Sequence, residues 1–336
     1  MNVDRKISMN SYVKQFSQQL REAVKIGTEA KLNAAKKPIT NVLICGIGGS
    51  GIGGQIVAKL TQLEATVPVA TCNEYFLPAY VNENTLVVAS SYSGNTEEVL
   101  SLLDQAIKKG AEIACITSGG QVLELAKKHN FNVIVIPGGN PPRACLGYSF
   151  TQLLVYMAHY GIIQKSAIPD IESAIKLIDD QEEEILTIAI DISRQLSGKL
   201  PIIYSSAVYD AVAVRFKQQL NENSKMLCWN NKFPELNHNE IVGWTKVNED
   251  LAVIFINDED DFYRTKARRN FTKKLVDQYA GSVCNVDVKG SNDIEKIIYL
   301  VHLTDWISVK IAEMDGTDSI EIRVIDALKA ELETLS

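Results

Sequence analysis

Two loops rich in glycine and hydroxyl groups, each directly behind an apolar run, limit what this chain can become more than any other feature. The first, Cys45-Gly46-Ile47-Gly48-Gly49-Ser50-Gly51-Ile52-Gly53-Gly54, follows Val42-Leu43-Ile44. The second, Ser90-Ser91-Tyr92-Ser93-Gly94-Asn95-Thr96-Glu97-Glu98, follows Thr85-Leu86-Val87-Val88-Ala89. Each reads as a buried strand, a tight turn and the opening of a helix. A helix N-terminus offers unpaired backbone N–H groups and positive dipole charge, so it attracts an anion. Glycine lets the backbone come close, while Ser50, Ser91, Ser93 and Thr96 add hydroxyl donors without bulk. Together the loops read as a cradle for one small phosphate.

The pattern around them is α/β. Strand-like runs at 41–45, 67–72, 85–90, 111–116 and 132–136 alternate with helical patterns at 51–64, 96–109 and 121–129, and a helix follows at about 147–160. Such alternation predicts a parallel sheet flanked by helices. Before it, Val13, Phe16, Leu20 and Val24 are spaced as on an amphipathic helical arm over 10–32. Residues 168–197 read as one long connecting helix, with Ile171, Ile175, Ile178, Ile185 and Ile192 on its inner stripe. A second alternation follows: strand 200–205, helix 208–222, strand 251–257, helix 262–279, strand 283–287, and helices 293–313 and 321–334. Two lobes of similar design result, 1–165 and 166–336, the second without a glycine-rich loop.

Composition narrows the partners. With 336 residues, 46% of them hydrophobic, two packed domains are within reach. A net charge of −7 and a pI near 5.3 argue against a broad nucleic-acid or anionic-membrane surface. Six cysteines, at 45, 72, 115, 145, 228 and 284, lack C-x-x-C spacing and suit buried free thiols in a reducing compartment. Met1-Asn2-Val3-Asp4-Arg5-Lys6 leads into no apolar segment of a signal peptide, and no run is long enough to span a membrane. The expected location is cytoplasmic.

Other readings of the motifs compete. Gly46-Ile47-Gly48-Gly49-Ser50-Gly51 also satisfies the dinucleotide fingerprint, with Glu74 near the place of a ribose-binding acid. The second loop favours phosphate, because a dinucleotide fold has no need of its three hydroxyls. Ordinary helix capping explains one hydroxyl per helix, not four among so many glycines. Arg143, in Pro137-Gly138-Gly139-Asn140-Pro141-Pro142-Arg143, emerges on the ligand side of the sheet, where it would stabilise an oxyanion. The same position equally suits a surface arginine paired with a carboxylate. Glu222 ends a helix, where glutamates are usually solvated. His238 lies in an irregular segment, Pro234-Glu235-Leu236-Asn237-His238-Asn239-Glu240, where function is commoner than packing. Trp229, Trp244 and Trp306 read as core or interface. No spacing of His or Cys points to a metal.

In their order, Gly46-x-Gly-Gly-Ser50, Ser91-Tyr-Ser93-Gly-Asn-Thr96-Glu-Glu98, Arg143 after two prolines, Asn221-Glu222-Asn-Ser and Pro234-Glu-Leu-Asn-His238-Asn-Glu240 resemble the bifunctional phosphoglucose/phosphomannose isomerases. These belong to the phosphoglucose isomerase superfamily, built from two sugar isomerase (SIS) domains. The resemblance implies two SIS-type lobes and a sugar 6-phosphate substrate bound by Gly49, Ser50, Ser91, Ser93 and Thr96. It implies Glu222 as the base moving a proton between C1 and C2 through a cis-enediol, and Arg143 steadying that intermediate. His238 would assist ring opening from the neighbouring subunit of a homodimer, and Lys329 on the terminal helix would reach the ring oxygen. No cofactor and no metal is implied. One carboxylate base, a fixed cation and a second acid–base group suit aldose–ketose isomerisation.

The alternatives are a non-catalytic sugar-phosphate sensor, a glutamine-dependent aminosugar synthase and an NAD-dependent dehydrogenase. A sensor would keep the phosphate loops without needing Glu222, His238 and Arg143 together. The synthase would need a glutaminase domain with a nucleophilic cysteine, which the start of this sequence does not offer.

Overall fold

Most of the apolar runs are followed by a helix that carries the chain back to the same sheet edge, and parallel strands are the outcome. The structure, a computed structural model, describes residues 8–335. The reading of Met1-Asn2-Val3-Asp4-Arg5-Lys6 lies outside the described residues. The chain divides into two units: Gln15–Asp180 with Lys289–Tyr299, and residues up to Lys14 with Gln181–Val288 and the chain from Leu300 onward.

The arm expected over 10–32 is two helices, α1 (Met9–Lys14) and α2 (Phe16–Glu29), because Gln15 leaves helical geometry at φ −87°, ψ 7°. The inner face of α2 is Phe16, Gln19, Leu20, Ala23 and Gly27, while Val24 is only half-buried.

The first lobe is a five-stranded parallel sheet in the order β2-β1-β3-β4-β5. Its strands are β1 (Asn41–Cys45), β2 (Val69–Cys72), β3 (Thr85–Ser90), β4 (Glu112–Thr117) and β5 (Asn132–Val135). Interleaved with them are α3 (Gly48–Leu60), α4 (Glu97–Lys108) and α5 (Gly120–His129); α6 (Leu146–His159) and α7 (Ile168–Asp180) follow. All six residues of β3 are buried, as a central parallel strand requires. Leu43, Val87, Val99, Leu102, Ile113 and Cys115 share one core cluster. Strand order reverses at β1, which has β2 on one side and β3 on the other. Ligands bind outside the carboxyl ends of strands at such a switch point, and there both glycine–hydroxyl loops emerge.

The helix expected over 168–197 is broken: α7 stops at Asp180, Gln181 sits at φ −113°, ψ 10°, and α8 (Glu182–Leu196) begins. Ile171, Ile175, Ile178, Ile185 and Ile192 are all buried. Their stripe was legible, but the break was not, since the two helices belong to different units.

The second lobe repeats the plan with four parallel strands in the order β7-β6-β8-β9. These are β6 (Leu200–Ser206), β7 (Trp229–Phe233), β8 (Asn248–Asn257) and β9 (Ala280–Asp287). Its helices are α9 (Asp210–Ser224), α10 (Tyr263–Val276), α11 (Asp293–Met314) and α12 (Arg323–Glu333). Tyr204, Phe233 and Phe255 pack together in its core, with Tyr204 edge-on to both partners. The sequence reading missed β7, a polar edge strand (Trp-Asn-Asn-Lys-Phe) with neither an apolar run nor alternation. All six cysteines are free thiols, five buried and Cys228 half-buried. No helix among the described residues is long and apolar enough to cross a membrane.

Candidate active site

Backbone contacts set the first glycine loop. A Cβ on Gly49 would lie 2.8 Å from both the Arg143 nitrogen and the Pro142 carbonyl carbon, so only glycine lets the turn behind Arg143 close on α3. Gly94 is more tightly bound: its φ is +70°, and a Cβ would meet the Gly119 oxygen at 1.9 Å. These contacts lock the loop after β1 to the loop after β5, and the loop after β3 to the loop after β4.

The serine hydroxyls are held by loop N–H groups and are not helix caps. Ile47 and Thr96 occupy the N-cap positions of α3 and α4, and neither makes a side-chain cap bond. Ser50 Oγ accepts from the Tyr92 N–H at 3.0 Å, Ser91 Oγ from the Gly94 N–H at 3.1 Å, and Ser93 Oγ from the Asn95 N–H at 3.2 Å. Ser91 Oγ and Thr96 Oγ1 are 2.8 Å apart. A hydroxyl has one hydrogen and two lone pairs, and here a backbone N–H engages a lone pair on each serine. The hydroxyl hydrogens of Ser50 and Ser93 are left to point at a ligand. With the open first turns of two helices alongside, the geometry suits a phosphate dianion.

Arg143 is not a surface arginine. It sits on a 3-10 turn, Pro142–Ala144, and is 4% exposed. Asn140 N–H donates to the Tyr92 hydroxyl at 3.0 Å on one side of the turn, and Gln19 Nε2 donates to the Ala144 carbonyl at 2.7 Å on the other. Gly49, Ser50, Ser91, Ser93, Thr96 and Arg143 therefore share the carboxyl edge of the first lobe's sheet. Glu222, His238 and Lys329 are on three separate elements of the second lobe.

Glu222 is half-buried in the last turn of α9, whose inner face buries Phe216 and Leu220 beside several polar side chains. Hydrogen bonds to α11 hold those polar side chains. Arg215 pairs with Asp305 at 2.6 Å, Gln219 donates to Asp305 at 2.9 Å, and Asn223 to Ser308 Oγ at 3.0 Å. His238 closes the 3-10 turn Glu235–His238 and is exposed. Leu236 is fully buried beneath it, and Asn237 Nδ2 donates to Thr272 Oγ1 at 2.9 Å. Glu240 anchors the far side by accepting from Asn231 at 2.6 Å and Trp229 Nε1 at 3.1 Å. Lys329 is exposed, as is every residue of α12. Trp244 and Trp306 are buried, whereas Trp229 is 39% exposed.

Tyr92, Asn140, Gln19 and Glu240 had no assigned role in the sequence reading. Their work is hydrogen bonding across elements, and only the position of Tyr92 between two loop serines hinted at it.

Two parallel α/β lobes, the first with two glycine–hydroxyl loops at its switch point, define a protein of the two-SIS-domain class. The SIS domain family matches residues 38–158, and the bacterial phospho-glucose isomerase C-terminal SIS domain family matches residues 187–332. A bifunctional phosphoglucose/phosphomannose isomerase of Caldicellulosiruptor bescii is 38% identical over 94% of this chain and 96% of its own length. Another, of Aquifex aeolicus, is 33% identical over 88% and 91%. Among solved structures, the C-terminal domain of glucosamine-fructose-6-phosphate aminotransferase from Francisella tularensis superposes with a TM-score of 0.74 at 14% identity, covering 95% of this chain and 99% of that one. At that identity the likeness speaks for the fold alone. The chain belongs to the bifunctional phosphoglucose/phosphomannose isomerase family, and it is a sugar-phosphate isomerase.

Proposed function

We propose that this chain interconverts glucose 6-phosphate and mannose 6-phosphate with fructose 6-phosphate through a cis-enediol, without a metal. The hydroxyl cradle carries this reading: Ser50, Ser91, Ser93 and Thr96, with Gly49 beside them, supply the convergent donors that a phosphate monoester needs. Holding the phosphate fixes the sugar's far end, which converts proton transfer at C1 and C2 into a step within one complex. Glu222 is the base that takes the proton from one carbon and returns it to the other, so a single carboxylate begins and ends the cycle ionised. Arg143 stabilises the negative oxygen of the enediolate; a guanidinium stays charged at any working pH and does not compete for the proton. His238, from the neighbouring subunit of a homodimer, and Lys329 serve the ring oxygen during opening.

The test is fructose 6-phosphate formation from glucose 6-phosphate and, separately, from mannose 6-phosphate, with a metal chelator throughout. Both should turn over. Glu222→Gln should abolish turnover of each while leaving sugar-phosphate binding nearly intact. Binding without turnover in the unmodified protein would identify a sensor instead.

A further inference from the structure

Tyr92 lies between the two serines of the second loop, yet its own bonds run to the other loops. Its N–H donates to Ser50 Oγ at 3.0 Å, which ties it to the loop after β1. Its carbonyl accepts from the Ser118 N–H at 3.0 Å and from Ser118 Oγ at 2.7 Å, which ties it to the loop after β4. Its hydroxyl accepts from the Asn140 N–H at 3.0 Å, which ties it to the loop after β5. One residue on the loop after β3 therefore reaches the carboxyl ends of three other strands, and it is 8% exposed.

Two of these bonds bear on chemistry. The N–H end fixes Ser50, a phosphate donor. The hydroxyl end fixes Asn140, three residues before Arg143. That stretch, Pro141-Pro142-Arg143, is stiff because proline fixes φ, so the position of Asn140 is passed along the chain to the arginine. The turn closes with the Ala144 N–H on the Pro141 carbonyl at 2.9 Å and the Cys145 N–H on the Pro142 carbonyl at 3.0 Å. Gln19 holds its far end, accepting from the Gly147 N–H at 2.7 Å while donating to the Ala144 carbonyl.

We propose that Tyr92 is a positioning residue which holds the phosphate cradle and the Arg143 turn in one geometry, so that an occupied cradle fixes the arginine where the enediolate develops. This rests on the proposed roles of the cradle and of Arg143. Its proposed role runs through Ser50 and the Arg143 turn. Its hydroxyl supplies the acceptor for Asn140.

Tyr92→Phe removes that acceptor and keeps the ring. The expected result is a kcat about tenfold lower, with KM and the inhibition constant of inorganic phosphate each changed by less than about twofold. A merely structural tyrosine would lower the melting temperature and leave kcat alone, and that outcome overturns the proposal. Arg143→Lys supplies the second arm. It should lower kcat by itself, and adding Tyr92→Phe should then cost little more, because both act through one group. An unchanged kcat in Arg143→Lys alone would sink the role of the arginine, a failure distinct from that of the link. The unmodified protein gives a readout free of any folding defect: saturating inorganic phosphate should slow amide exchange at Asn140 by about threefold or more. Bound phosphate with unchanged exchange at Asn140 overturns the link.

Discussion

Ser91 shows how a residue is prepared for its work. It is fully buried, its oxygen accepts from the Gly94 N–H, and it shares a hydrogen with Thr96. The hydroxyl is therefore held in place by its own loop. Ser91→Ala should weaken sugar-phosphate binding by about 1–3 kcal/mol, the range for a donor lost to a charged group. Calorimetric titration reads this directly, and an unchanged Kd would take Ser91 out of the cradle. The loops were legible because hydroxyl and glycine chemistry is local: seven glycines with Ser50, Ser91, Ser93 and Thr96 stand behind two apolar runs. Arg143 was half legible. Its place after β5 followed from the strand pattern, but its burial depends on Gly49, almost a hundred residues earlier in the chain.

Among the elements, α9 carries the clearest energetic statement. It presents Arg215, Gln219, Asn223 and Ser224 to the interior, and α11 answers with Asp305 and Ser308. Two charges removed from water are stable only as a pair. Asp305→Ala strands a guanidinium that is 2% exposed, and should cost about 3–5 kcal/mol. Replacing both members, Arg215→Met with Asp305→Leu, should recover most of that loss. Urea unfolding midpoints distinguish the two cases; a midpoint unmoved in Asp305→Ala would mean that the pair holds nothing. Because Glu222 lies in the last turn of α9, the single substitution should also depress turnover, since a loosened helix misplaces that turn. Helix breaks were the least legible feature of the elements. Periodicity runs on through Gln15 and Gln181, because the residues on both sides are apolar in register, while the two sides join different cores.

At the scale of the whole molecule, the buried thiols set a limit on alkaline stability. Burial pushes Cys115, Cys228 and Cys284 up to about 12, and Cys45 higher still with Cys72 beside it. Burial also lifts Tyr160 to about 12. In the unfolded chain a thiol titrates near about 8.5. Above that pH the folded protein holds more protons than the unfolded one, so stability falls as pH rises. The contribution of these groups is complete below the unfolded value and is lost as pH climbs towards the folded values. Urea midpoints should fall between about pH 7 and about pH 10. The same burial should make the native thiols slow towards disulfide reagents, since the thiolate is the reactive form. A flat midpoint across that range would show that the thiols titrate freely in the folded state.

By itself, the sequence determined the α/β class, the two glycine–hydroxyl loops and the alternation that builds two parallel lobes. Each of these is written in residues close together in the chain, where period, glycine and hydroxyl act over a few positions. Only the tertiary structure decided the strand order β2-β1-β3-β4-β5, which brings the loops after β1 and β3 side by side. It also decided that polar β7 is a strand, that Arg143 is buried, and that Tyr92 spans four loops. Those outcomes come from backbone groups finding partners dozens of residues away, and a burial pattern or a motif carries no record of which partner will be found.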